Sequence, residues 1–130
     1  MDGGPIPMHI DHITHNISSA NIEAARRFYG KSLGLSEIPA VLDPTGKRLI
    51  WFQLGQGQLH LSIGDTADKS TSRHFAVAIP NFDLLVGRLQ EDGARTEDWE
   101  SGKLWRVRPD GVRSTFCYDP DGNRIELLDR

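Results

Sequence analysis

Three histidines and a glutamate, His12, His60, His74 and Glu126, lie too far apart to form a local motif, yet each sits in a short alternating apolar stretch. The stretches are HIDHITHNI (9–17), QGQLHLSIG (56–64), RHFAVAI (73–79) and the end of RSTFCYDPDGNRIELLD (113–129). Successive side chains of a strand point to opposite faces. If Ile13 and Ile17, then Leu59, Leu61 and Ile63, then Phe75, Val77 and Ile79, and finally Ile125 and Leu127 pack inward, the four polar residues share the other face. Imidazoles and a carboxylate converging on one cavity make a first-row transition-metal site, suited to Fe, Mn, Zn, Ni or Co rather than Ca or Mg. Near pH 7 these groups are already in the states that bind metal.

A lone strand histidine is more often a hydrogen-bonded or surface residue than a ligand. Parity and repetition together single out this set. By the same alternation His9 and His15 belong to the edge or the helix side, and Cys117 turns toward the helix face as a small buried residue rather than a nucleophile. Trp51, Trp99 and Trp105 read as core or partner-contact residues, with pocket lining as the alternative. Arg106, Arg108 and Arg113 flank the turn PDG (109–111) as a solvated hairpin, with an anion-binding rim as the alternative.

The elements that must position the four follow from spacing. After the strand at 9–17, Asn21 can cap a helix in which Ile22, Ala25, Phe28 and Leu33 fall at roughly helical intervals before Gly34. KRLIWFQLG (47–55) and 56–64 read as two strands meeting at Gly55–Gly57, with IPAVL as a shorter strand before them. TADKSTS (66–72) is a polar linker, and the pattern then restarts. The strand at 73–79 leads to a helix with Asn81 as cap, Phe82, Leu85, Val86 and Leu89 on one face, and Gly93 as its stop. Two strands around a DPDG turn close the chain. Strand, helix and several strands occur twice, an internal duplication. His74 lies 62 residues after His12; His60 follows Phe52, and Glu126 follows Tyr118, by eight. This makes His60 and Glu126 equivalent positions.

At 130 residues the chain is predicted to be one domain with a sufficient core. With 38% hydrophobic and 25% charged residues and a net charge of −3 it has the balance of an ordinary globular protein and no basic field for nucleic acid. A single cysteine excludes an intrachain disulfide, and the first residues, MDGGPIP, have the character of a loose arm and not of a secretory signal. Cytoplasmic localisation is the expectation. No apolar run approaches the ~18 residues needed to cross a bilayer. No Gly-rich phosphate loop, Ser/His/Asp arrangement or CxxC pair is present.

The run from His12 and Thr14 through Ala25, Phe28, Tyr29 and the LGL at 33–35, with the closing DPDGNRIELLD, resembles the vicinal oxygen chelate superfamily. That superfamily includes glyoxalase I, extradiol dioxygenases, fosfomycin-resistance transferases, methylmalonyl-CoA epimerase and bleomycin-binding proteins. The resemblance spans His12 to Asp129. It implies an α+β fold of two tandem βαβββ modules, about 8–64 and 73–129 with a linker at about 65–72, whose curved mixed sheets surround a metal. It also implies metal ligation by His12, His74 and Glu126 with His60 as fourth ligand or general base, so that His60 and Glu126 are the candidate catalytic residues. Thr14, Asn16 and Phe116 would line the pocket. The implied cofactor is a divalent transition metal, and the implied partner is a small molecule that chelates it through two neighbouring oxygens. Short members pair as homodimers, in many cases with shared sites, which here would draw His12 and His60 from one subunit and His74 and Glu126 from the other.

Departures from single branches narrow the activity. Extradiol dioxygenases and fosfomycin transferases use a tyrosine where Phe116 stands, and short-chain glyoxalase I carries a carboxylate where His60 stands. The expected function is therefore a metal-dependent lyase, isomerase or dioxygenase of unspecified substrate. The rival is a metal-free binding protein of the bleomycin-resistance type, which would have lost the ligand chemistry retained here.

Overall fold

The computed structural model describes residues 3–64 and 72–130. The linker expected at 65–72 lies, apart from Ser72, outside the described residues. Strand β1 (His12–Ser18) starts three residues later than the alternation at 9–17 predicts. A 3₁₀ turn at Ser19–Asn21 leads into α1 (Ile22–Arg26), which widens into π-type turns over Arg27–Ser32. Gly34, at φ 80°, ends this helical stretch in the left-handed conformation that glycine adopts without strain. Then come β2 (Glu37–Ile38), β3 (Leu49–Leu54), β4 (Gly57–Gly64), β5 (His74–Ala78), α2 (Phe82–Glu91), β6 (Thr96–Glu97), β7 (Arg106–Val107), β8 (Arg113–Tyr118) and β9 (Arg124–Leu128).

The strands form two mixed sheets on one plan, an α+β fold. In the first the order is β1-β4-β3-β2, with β1 parallel to β4 and the β3–β4 and β2–β3 pairs antiparallel. In the second it is β5-β9-β8-β6, with β5 parallel to β9, β8 antiparallel to β9, and β7 also paired to β8. The register repeats as well: His12 stands beside Gln58, two residues before His60, and His74 beside Arg124, two residues before Glu126. His60 and Glu126 are thus equivalent by parallel register. The aromatic landmarks are different from those the eight-residue spacing selects. Trp51, not Phe52, pairs with His60, and Phe116, not Tyr118, pairs with Glu126.

One face of each sheet is covered by the helices. Ile17, Leu59, Leu61, Ile125 and Leu127 are essentially inaccessible and join Phe28, Tyr29, Phe82, Leu85, Val86 and Leu89 in one apolar cluster. Each such side chain contributes about 1.5–3 kcal/mol on burial, which pins the parity of every strand. Cys117 lies in this cluster, and burial, followed by the nearby Asp119, raises its thiol pKa.

Neither expected asparagine cap closes its helix through its side chain. Asn21 instead donates from Nδ2 to Asp121 Oδ1 at 3.2 Å, and Asn81 makes no side-chain cap bond. The closing turn is braced in another way. Asp119 accepts the backbone N–H groups of Asp121 and Asn123 on Oδ1, both at 2.9 Å. Its Oδ2 accepts the Tyr29 hydroxyl at 2.7 Å and Asn123 Nδ2 at 2.8 Å. Asn123 Nδ2 also donates to the Asn16 backbone oxygen at 2.8 Å, tying the end of the second sheet to β1 of the first. Burial, and then the Asp119 carboxylate, hold the Tyr29 phenol well above its ordinary pKa. The FY and DPDGN segments are therefore tied to each other as structural braces.

Candidate metal centre

On the first sheet, the parallel pairing of β1 with β4 brings His12 and His60 face to face, ring centroids 4.1 Å apart and 17° from parallel. Trp51, the cross-strand neighbour of His60, stacks on its other side at 3.9 Å and 2°. Trp51 is buried, and its indole also walls the polar face, which is the pocket-lining alternative. His12 Nδ1–H donates to Asp11 Oδ2 at 2.8 Å, which leaves Nε2 as the lone-pair nitrogen. His60 Nε2–H donates to Gln58 Oε1 at 2.8 Å, leaving Nδ1 free. Burial, followed by the neighbouring His12, lowers the His60 pKa, with Asp11 opposing weakly. His60 is therefore a neutral imidazole at pH 7.

On the second sheet, His74 Nδ1–H donates to the Ser72 backbone oxygen at 2.8 Å, and its Nε2 lies 3.4 Å from Glu126 Oε1. Glu126 Oε2 accepts the Ser114 hydroxyl at 2.7 Å and lies 3.6 Å from Arg108. Phe116 packs edge-on against His74, centroids 5.2 Å apart. In both halves the leading histidine has its Nδ1–H tied to an acceptor, the arrangement that fixes the tautomer of a metal-binding imidazole.

The four predicted ligands thus fall into two pairs. Among the described residues no three His, Cys, Asp or Glu side chains gather closely enough to hold a metal ion. The donor chemistry fits a transition metal, but one chain's geometry supplies only half a coordination shell on each sheet. Of the predicted pocket residues, Thr14 stands beside His60 and Asn16 beside Ser62, on the polar face of β1. Phe116 stands beside Glu126 and is 3% exposed. His15 takes the helix side, its Nδ1 2.9 Å from the Tyr29 hydroxyl. The structure adds Asp11, Trp51, Gln58, Arg108, Ser114 and Arg124 to the two half-sites. Gln58 and Arg124 carry a usable signal in their spacing, two residues before His60 and Glu126. The reach of Arg108 to Glu126 has no local signature.

Two like mixed sheets, each offering strand-borne donors on the face away from its helix, define a duplicated α+β class with polar faces free to build a site. The chain belongs to the Glyoxalase/Bleomycin resistance protein/Dioxygenase superfamily, whose family model matches residues 9–127. It is similar to a glyoxalase family protein from Bacillus anthracis, with 28% identity, a TM-score of 0.77, and coverage of 96% of this chain and 97% of that one. A lactoylglutathione lyase from Agrobacterium tumefaciens shares 20% identity over 94% of this chain and 93% of that one, with a TM-score of 0.70. The fosfomycin resistance protein FosX from Mesorhizobium loti shares 20% identity over 96% and 94%, with a TM-score of 0.71. At that identity the last two share the fold alone. No curated protein matches. No helix among the described residues is long and apolar enough to cross a membrane.

Proposed function

We propose that the chain is a metal-dependent enzyme acting on a small molecule with adjacent oxygens, by lyase, isomerase or dioxygenase chemistry, and that its site is built from half-sites of two copies. The observation that carries this reading is the tying of both leading imidazoles through Nδ1, to Asp11 and to Ser72, each at 2.8 Å, beside a second donor on the neighbouring strand. Retained ligand chemistry divided two and two is what a homodimer with shared centres requires. His12 and His60 of one copy and His74 and Glu126 of the other would hold the ion. We propose the whole chain as a single domain of two modules, and the cytoplasm as a setting suited to its free Cys117.

A bound divalent transition ion supplies Lewis acidity to an oxygen of the substrate. The chain's own residues do the rest. Neutral His60, with Nδ1 unbonded, accepts a proton from substrate when it is not itself a ligand. Trp51 and Phe116 wall the site with aromatic surface and keep water off the reacting atoms. Ser114 orients the Glu126 carboxylate by its 2.7 Å hydrogen bond.

Metal analysis of protein purified without chelator tests the reading. Uptake of Fe, Mn, Ni, Zn or Co that His74→Ala abolishes is the expected result. No bound metal and no such uptake would leave the metal-free binding protein as the function.

A further inference from the structure

Two arginines face the second half-site, and their surroundings differ. Arg108 is neutralised by Asp110 at 2.7 Å and Glu126 at 3.6 Å. Arg124 has no carboxylate within ion-pair distance and no hydrogen bond among the described residues. Its guanidinium lies instead among three rings, 5.4 Å from the centroid of Trp99 and 5.7 Å from those of Phe116 and Tyr118. Its Nε is buried without a partner, as is the hydroxyl of Tyr118, a residue only 6% exposed. Arg124 is half-buried, and cation–π contacts offset part of the cost of withdrawing its Nε from water but satisfy no N–H donor. Two unpartnered donors on one polar face are an unfilled requirement for an acceptor.

Register places that requirement at the proposed chemistry. Arg124 stands beside His74 on the adjacent strand, beside Tyr118 on the other side, and two residues before Glu126 on the same face. A ligand reaching the second half-site would present any substituent a few ångströms away to this guanidinium. The planar N–H fork matches the paired oxygens of a carboxylate or phosphoryl group. Resting on the metal-enzyme reading above, we infer that Arg124, with Tyr118, anchors an anionic group, so that the substrate is a small acid whose adjacent oxygens lie next to a carboxylate or phosphoryl group.

The test titrates Co²⁺-loaded protein with lactate, hydroxymethylphosphonate and neutral lactamide, following the visible spectrum. Wild type should bind at least one anion about ten- to a hundredfold more tightly than lactamide. Which anion does so distinguishes a carboxylate substrate from a phosphoryl one. Arg124→Gln should cut that preference at least about tenfold, by weakening the anions more than lactamide. Arg124→Met, which keeps an unbranched chain against the rings, serves if the glutamine variant unfolds. Equal binding of acids and amide by wild type, or a preference that the substitution leaves undiminished, overturns the inference while the metal reading stands. A substitution that splits a dimer into single chains also overturns it, because Arg124 would then serve a partner subunit. If no Co²⁺ is taken up, the metal reading fails separately, and the same anions are followed by tryptophan fluorescence through Trp99. A response in wild type absent from Arg124→Gln supports the anchor, and no response overturns it.

Discussion

Mixing two inactive variants gives a quantitative test of how the half-sites combine. His12→Ala removes a donor from the first sheet, and Glu126→Ala removes one from the second. If each centre takes its first half from one subunit and its second half from the other, neither homodimer has an intact centre. A hybrid concentrates both losses in one centre and leaves the other whole. Random pairing after joint unfolding and refolding makes about half the dimers hybrid, so the mixture should recover about one quarter of wild-type metal capacity. Metal content after desalting, with the ratio of the two variants varied, reads this directly. A mixture of His12→Ala with His60→Ala is the control. Both lesions fall on the first sheet, 4.1 Å apart, so every centre stays broken and nothing is recovered. Zero recovery in the first mixture, with metal bound normally by wild type, would refute the two-and-two division. Equal recovery in both mixtures would refute the placement of His12 and His60 in one half.

Tyr29→Phe deletes the hydroxyl that donates to Asp119 at 2.7 Å, and should cost about 1.5–3 kcal/mol in urea unfolding. Gly57→Ala would place a methyl carbon 3.0 Å from the Asp11 backbone oxygen and 3.2 Å from that of Ile10. A loss of about 1–3 kcal/mol is expected, and an unchanged urea midpoint would show that the chain before β1 yields freely. Cys117, whose thiol is held neutral by burial, should react with a thiol reagent at pH 8.5 only as fast as the protein unfolds. Because its pKa is raised in the fold, the unfolded chain loses that proton first as pH rises. Stability should therefore fall above roughly pH 8.5, and fall less in Cys117→Ala.

Much of this architecture is legible in short windows because helix and strand periods are local. Phe82, Leu85, Val86 and Leu89 declare α2, and Gly93 at φ 74° ends it. The alternation about His60 and Glu126 declares both their strands and the faces they take. Segments with little apolar pattern are less legible. β2 is two residues long where IPAVL suggests more, and is held by pairing to β3; β6 and β7 are two-residue strands held by pairing to β8 rather than by their own composition. The asparagine caps fail for a related reason: a side chain that can satisfy its own helix end can also be recruited across the fold, as Asn21 is by Asp121.

By itself the sequence determined the parity of His12, His60, His74 and Glu126, since side-chain period and apolar burial leave one choice of face. Through its duplication it also made His60 the counterpart of Glu126. Only the tertiary structure decided that these residues form two separate pairs, because the partners meet through parallel strand pairing between segments 48 and 52 residues apart in the chain, His12 with His60 and His74 with Glu126. It alone placed Trp51 flat on His60 and left Arg124 among three rings without a counter-charge among the described residues. Those outcomes depend on which strands become neighbours, a property that no local spacing records.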